Sequence, residues 1–262
     1  MEAAQPLSRA KLTSRTGMNA QIHSFETAGT VDGPGLRFVL FLHGCPLRCR
    51  FCHNPDTWAS GAKASMSASE ILSEVEKYSP FFKMSGGGVT ISGGEPLMQP
   101  DFLAEFLALL KSRGIHSAVD TCGYTDITGR VAEIVELADM FLLDVKHVDA
   151  RGHIELTGRD YEKPRRFLDY LCEKNKRIWI RCVLVNGITA EREYAEKLGE
   201  YLRPYGGKIE RVELLPYHRL GVGKWRELGL KYSLEGVEPT SPETVVEFKK
   251  ILRGYLPTPE II

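Results

Sequence analysis

LRFVLFLHGCPLRCRFC, residues 36–52, decides how the rest of the chain is read. Its first part, Leu36 to Leu42, is a mostly apolar run of strand length, as expected for a strand buried on both faces. Apolarity stops at His43 and Gly44, and three cysteines follow within eight residues: Cys45, Cys49 and Cys52. Three thiolates this close hold a metal centre and leave it one ligand short, and an open position is where a substrate meets a catalytic metal.

Three metal chemistries compete for this C-x3-C-x2-C triplet. A structural zinc would need a fourth ligand, with His53 the nearest. Covalent haem would use Cys49-Arg-Phe-Cys52-His53, a C-x-x-C-H pattern, but would leave Cys45 idle and requires export. A site-differentiated [4Fe–4S] cluster would use all three cysteines, one per iron, on three of four irons.

Outward from this stretch, strand-like and helix-like segments alternate. Strands are expected at 36–42, 89–92, 117–120, 140–144, 178–185 and 211–215. Helices are expected at 67–77, 101–113, 128–137, 165–174, 191–202 and from 241 to about 255. Ser67 with Glu70 forms a capping box, and Pro242 occupies a first helical position. Six β-then-α units argue for a parallel sheet or a barrel. The unusual polar residues then fall at strand ends: Cys45 after the first strand, Gly93-Gly94-Glu95 after the second, and Asp120-Thr121 at the end of the third. Asp144 ends the fourth and Lys146 follows it, Arg181 lies within the fifth, and His218 follows the sixth. In parallel α/β folds that edge carries the active site.

Each of these features also has a plainer meaning. GGGVTISGGEP (86–96) is two tight turns around a short strand; as a site, its glycines would let backbone approach a ligand and Glu95 would accept from an amine. Asp120, Asp144 and Lys146 are solvated strand ends, or else a grip for a zwitterion and sugar hydroxyls, or for a monovalent cation. His218 alone is a surface or core histidine. Residues 29–35, GTVDGPG, are a turn or a binding loop. Cys122, Cys172 and Cys182 read as buried small hydrophobes.

The totals narrow the class. Lys plus Arg equals Asp plus Glu, 34 each in 262 residues, which argues against a nucleic-acid binder. No apolar run reaches the ~20 residues that span a bilayer. Residues 1–20 lack an apolar signal core and are expected as a flexible extension, with Met18 an alternative start; residues 21–262 are expected as one domain. Six cysteines, three of them clustered, point to a reducing cytoplasm.

Together these motifs identify a resemblance to the radical S-adenosylmethionine enzymes, carried by the triplet with Phe51 before its last cysteine. Within them, seven segments are similar to the pyruvate formate-lyase activating enzymes: SFETAGTVDGPGLRF (24–38), CPLRCRFCHNPDTW (45–58), SGGGVTISGGEP (85–96), DTCG (120–123), LLDVKH (142–147), WIRCVLV (179–185) and LLPYHRLGVGKW (214–225). The similarity runs from about His23 to the C-terminus.

The resemblance implies a partial (β/α)6 TIM-like barrel with outer helices, open at one side so that a protein loop reaches the centre. It implies a [4Fe–4S] cluster on Cys45, Cys49 and Cys52, its fourth iron chelated by S-adenosylmethionine. Phe51 and His53 would flank that cofactor, and Gly94 and Glu95 would meet its amino group. Asp144, Val145 and Lys146 would take its ribose and carboxylate, and His218 its adenosyl side. Asp120, Thr121 and Asp144 match positions that hold a monovalent cation, although Leu142 stands where a Met occurs. Asp32, Asn54 and Arg181 match positions near the incoming glycine-loop peptide.

The implied reaction needs no general acid or base. A flavodoxin- or ferredoxin-type donor reduces the cluster, S-adenosylmethionine is cleaved to methionine and a 5′-deoxyadenosyl radical, and a glycine of pyruvate formate-lyase loses hydrogen. A cytoplasmic monomer, without nucleic acid or membrane, is expected. Only 40 residues, none of them cysteine, separate Cys52 from Gly93. The glycerol dehydratase activases insert cysteine clusters there, and the ribonucleotide reductase activases are shorter. The remaining alternatives are an insert-free activase of another glycyl-radical enzyme, an iron–sulfur or haem electron carrier, or a zinc-binding module.

Overall fold

The computed structural model describes residues 19–59 and 64–262. One nine-stranded sheet runs through them. It begins with an antiparallel edge: β1 (Asn19–Gly29) pairs with β2 (Arg37–Leu42) on one side and β3 (Ala64–Ser67) on the other. From β2 the order continues through β4 (Gly88–Gly93), β5 (His116–Thr121), β6 (Met140–Asp144), β7 (Arg177–Leu184) and β8 (Ile209–Pro216), every pairing parallel. The two-residue β9 (Glu260–Ile261) ends it beside β8. β3 and β9 lie at opposite edges, so the wall is an open, partial barrel.

The outer layer comprises α1 (Ala68–Glu76), α2 (Ser79–Ser85), α3 (Pro100–Ser112), α4 (Gly129–Leu137), α5 (Ala150–Thr157), α6 (Glu162–Glu173), α7 (Arg192–Leu202), α8 (Val222–Glu227) and α9 (Pro242–Tyr255). The capping box holds: the Ser67 amide donates to Glu70 Oε2 at 2.8 Å and the Glu70 amide to Ser67 Oγ at 3.3 Å. Ser241 Oγ likewise accepts from the Thr244 amide at 3.2 Å, with Pro242 at the first helical position.

Strand alternation separates two interiors. Phe38, Leu40, Val89, Ile91, Val119, Phe141, Leu143, Ile178 and Ile180 face the helices and form the main core. The alternate residues Ala118, Met140, Leu142 and Trp179 form a small plug inside the barrel. Beyond that plug the same inward face turns polar, with Asp120, Asp144, Arg181 and Glu213. Register places Arg181 beside Asp144 on one side and Glu213 on the other.

All six expected β–α units are present. Those expectations omit β1, β3, β9, α2, α5 and α8. β1 is paired on both sides but buries little beyond Ala20, Ile22 and Gly29, so its alternation is faint. The missed helices are short, six to eight residues. One boundary moves: Asn19 and Ala20, assigned to the extension, belong to β1, where Ala20 pairs with Met66 and is fully buried. The rest of that extension, 1–18, lies outside the described residues.

Candidate active site

The segment 43–58 after β2 is mostly irregular, so its backbone groups must find partners elsewhere. The Arg48 and Arg50 amides donate to the carbonyls of Thr157 and Leu156 at the end of α5, at 2.7 and 2.9 Å. The Gly44 amide donates to Thr57, and Arg48 Nη1 to the Cys45 carbonyl, both at 2.7 Å. On the far side Trp225 Nε1 of α8 donates to the Cys52 carbonyl at 2.8 Å, and Trp58 meets the Trp225 ring edge-on at 5.1 Å. These ties fix where the three thiols sit. Cys49 is buried, and Cys45 and Cys52 are half-buried. Burial pushes the Cys45 thiol up to about 12, with Glu95 adding to it, and raises Cys49 and Cys52 too. A metal bound by all three would have to displace their protons.

The thiols share a cavity of about 560 Å³ with the polar inner face of the barrel. Lys146 Nζ is 2.7 Å from Asp144 Oδ2 and 5.4 Å from the centre of the Phe51 ring. Burial disfavours its ammonium, but Asp144 and then Cys49 outweigh it and raise the pKa, so the charge persists. Asp120 Oδ2 accepts from Ser92 Oγ at 2.6 Å and lies 3.2 Å from Arg181 Nη1. Asp120 Oδ1 is buried without a hydrogen-bond partner, and burial raises this carboxyl's pKa. Arg181 Nε is 3.5 Å from Glu213 Oε2. Burial disfavours the Arg181 cation too, but Asp120, Asp144 and Glu213 together hold its pKa above the ordinary value.

The upper wall is aromatic. His53 and His218 stack with ring centres 4.3 Å apart, and burial followed by His218 lowers the His53 pKa, favouring its neutral form. Asn54 Oδ1 accepts from Lys224 Nζ at 2.8 Å, which leaves its NH2 group as the free end. Lys224 also lies 3.1 Å from Asp56, and His23 Nε2 lies 2.8 Å from the same carboxylate.

The cavity gathers all the candidate residues except Asp32, Glu95 and Val145. Glu95 is 0% exposed, and its carboxylate accepts from Thr121 Oγ1 at 2.6 Å, the Cys122 amide at 2.8 Å and the Leu97 amide at 3.0 Å. Its side chain braces the strand ends instead of facing a ligand. Gly94 does line the cavity, and a Cβ there would overlap the Gly44 carbonyl, so only glycine fits this turn. Val145 turns its side chain into the main core while its amide donates to the Arg181 carbonyl at 2.9 Å. Asp32 sits in the β1–β2 hairpin, at the end of β2 opposite the cysteines, yet its carboxylate interacts electrostatically with Arg181 and Asp120.

Thr121 and Asp144, expected beside a cation with Asp120, are already engaged. Thr121 donates to Glu95, and Asp144 pairs with Lys146. Among the described residues no three His, Cys, Asp or Glu side chains converge on one metal-ion position. A cluster of several irons instead takes its thiolates on separate irons.

Sequence reasoning missed Glu213, Ser92, Lys224 and the cavity role of Cys122. Glu213 had a signal, a carboxylate inside the apolar strand VELL, and Cys122 directly follows Thr121 at a strand end. Lys224 had none, because its partners Asn54 and Asp56 are far away in sequence. Cys172, read as buried, is half-exposed on α6.

Residues 39–198 match the Radical SAM superfamily model. The chain is 44% identical over 242 residues to the pyruvate formate-lyase-activating enzyme of Listeria monocytogenes, covering 90% of this chain and 97% of that one. It is 42% identical over 236 residues to the pyruvate formate-lyase 1-activating enzyme of Escherichia coli K12, covering 90% and 96%. Among solved structures, a domain of pyruvate-formate lyase-activating enzyme from Bacteroides vulgatus matches with a TM-score of 0.56 at 27% identity, over 67% of this chain and 99% of that one. Streptococcus suis SuiB bound to S-adenosylmethionine matches with a TM-score of 0.63 at 17% identity, over 83% and 47%, a likeness of fold alone.

Proposed function

We propose, because this chain belongs to the radical SAM superfamily and within it to the pyruvate formate-lyase-activating enzymes, that Cys45, Cys49 and Cys52 hold its [4Fe–4S] cluster beside bound S-adenosylmethionine. The chain is an oxidoreductase that generates the glycyl radical of pyruvate formate-lyase. Cluster and S-adenosylmethionine together supply a radical able to take hydrogen from a glycine α-carbon.

The chain's own residues bind, orient and exclude water. Lys146, kept charged by Asp144, would pair with the methionine carboxylate, and Asp144 would accept from the ribose hydroxyls. The carbonyl edge of the Gly93–Gly94 turn takes the amino group in place of the Glu95 side chain. His53 and His218 form the wall for the adenosyl moiety. Phe51, Leu47, Val183 and Leu215 keep that part of the cavity dry, which shields a radical from stray hydrogen donors. Asp120 Oδ1 keeps an acceptor site for a cation or a donor of the ligands. On the peptide side, Asn54 offers its NH2 group, Arg181 its guanidinium and Asp32 its carboxylate.

One observation carries this assignment of residues. Three thiols and two half-buried acid–base pairs, Lys146–Asp144 and Arg181–Asp120, line a single cavity. A flavodoxin- or ferredoxin-type electron donor, a cytoplasmic setting and a monomer complete the reading. The setting is supported by six free cysteines, as a reducing compartment keeps them.

The test is anaerobic reconstitution followed by reductant, S-adenosylmethionine and pyruvate formate-lyase. A glycyl doublet in the electron paramagnetic resonance spectrum is expected. Cleavage of S-adenosylmethionine without that doublet would assign another target, and a colourless protein would overturn the cluster.

A further inference from the structure

Three arginines, Arg48, Arg50 and Arg159, sit on the outside of the cysteine loop, and their side chains bond only uncharged acceptors. Arg48 Nη1 donates to the Cys45 and Leu47 carbonyls, both at 2.7 Å, and its guanidinium lies 5.0 Å from the centre of the Trp58 ring. Arg159, in the bend after α5, donates from Nε to the Pro46 carbonyl at 3.0 Å. Arg50 Nε donates to Ser233 Oγ at 3.2 Å. The carboxylates around them are engaged elsewhere. Glu155 pairs with Arg151, Asp149 Oδ1 accepts from the Gly152 amide at the start of α5, and Asp160 Oδ2 accepts from the Tyr124 hydroxyl.

The chain as a whole is neutral, with 34 Lys and Arg against 34 Asp and Glu, so this is a local excess of positive charge. Arg48 and Arg159 are exposed and Arg50 is half-exposed, so the charge faces water. None of the three lines the cavity that gathers the thiols. They therefore address what meets the loop from outside, not the cofactor within. Arg48 and Arg50 flank Cys49 in the chain, and Arg48 and Arg159 bond carbonyls of the same loop. The patch is carried by the thiol-bearing segment itself.

We propose that Arg48, Arg50 and Arg159 form the docking surface for an acidic electron-carrier protein that loads the cluster. The inference rests on the activase reading above. In that transfer the carrier gives up one electron and the cluster takes it; no bond forms and no proton moves. Electron transfer slows steeply with distance, so the carrier gains most by docking on the loop that bears the thiols. Exposed guanidiniums steer an acidic partner from afar and fix its orientation on contact. Their hydrogen bonds to carbonyls and to Ser233 hold them in place beforehand, which lowers the entropy lost on docking.

The probe is a bacterial flavodoxin, titrated in its oxidised form into the cluster-loaded enzyme by calorimetry and supplied as the hydroquinone to drive S-adenosylmethionine cleavage. Light with 5-deazariboflavin, a small uncharged reductant, is the parallel electron source. Arg50→Glu combined with Arg159→Glu is expected to weaken the flavodoxin Kd and raise its KM about ten- to thirty-fold at low salt. Light-driven cleavage, iron content and melting temperature stay as in the parent. The gap narrows at about 0.5 M salt, which screens exposed charges. Arg50→Lys combined with Arg159→Lys keeps the charge and should hold the parent Kd within about three-fold. An unchanged Kd in the Glu variant, or a parent Kd insensitive to salt, overturns the proposal. So does an equal loss with both electron sources, which would make the arginines mere props of the loop. A parent enzyme that cleaves S-adenosylmethionine under light but binds no flavodoxin overturns the docking surface and leaves the activase reading standing. A parent that cleaves with neither source overturns that reading, and the docking surface with it.

Discussion

β2 carries a loop at each end, and the two are held in opposite ways. The cysteine loop at its C-terminal end is tied down largely through backbone groups: its amides and carbonyls meet α5, Arg48 and Trp225, and its thiols take no part in these ties. The hairpin loop at the N-terminal end is gripped by side chains, Arg37, Thr90 and Ser85, and its Asp32 carboxylate interacts electrostatically with Arg181. One loop is held by its main chain and keeps its side chains uncommitted; the other is held by side chains reaching in from its neighbours.

The contrast breaks first at the thiols. Cys49→Ala should abolish cluster binding and S-adenosylmethionine cleavage, read as iron content, visible absorbance and 5′-deoxyadenosine; any retained cleavage refutes the assignment.

Arg181→Met acts between the two ends. It leaves Asp120 and Glu213 facing each other without their cation. Peptide affinity should fall about 10- to 100-fold, with S-adenosylmethionine cleavage affected less. Equal losses in both would mean that Arg181 serves the cofactor.

The smallest expected effect is on pH. Burial holds the cysteine protons in the cluster-free protein, so iron uptake should rise from pH 7 to pH 9, followed as absorbance on titration with iron and sulfide. A folded-state thiol pKa above the unfolded value also means that the folded protein binds more protons above about pH 8.5, so the melting temperature of the cluster-free form should fall as pH rises beyond that point. A flat profile in both would place the thiols in water.

Much of this was legible in the chain. The six strands declared themselves because both of their faces are buried, the plug residues Met140, Leu142 and Trp179 included. The cysteine loop was legible because its three thiols are neighbours in sequence. The side chains of Glu95 and Val145 lie off the cavity, since a motif names a residue without saying which way its side chain turns. Glu213 and Lys224 became meaningful only through partners on other elements, at distances sequence spacing does not encode. Short edge elements such as β3 and α8 owe their form to what they pack on.

The Trp225–Cys52 hydrogen bond has an optical consequence. The chain has three tryptophans; Trp179 is in the barrel plug, while Trp58 and Trp225 touch each other at the cysteine loop. Ultraviolet emission from that pair is therefore an intrinsic gauge of how the loop is seated, available to a fluorimeter without any label.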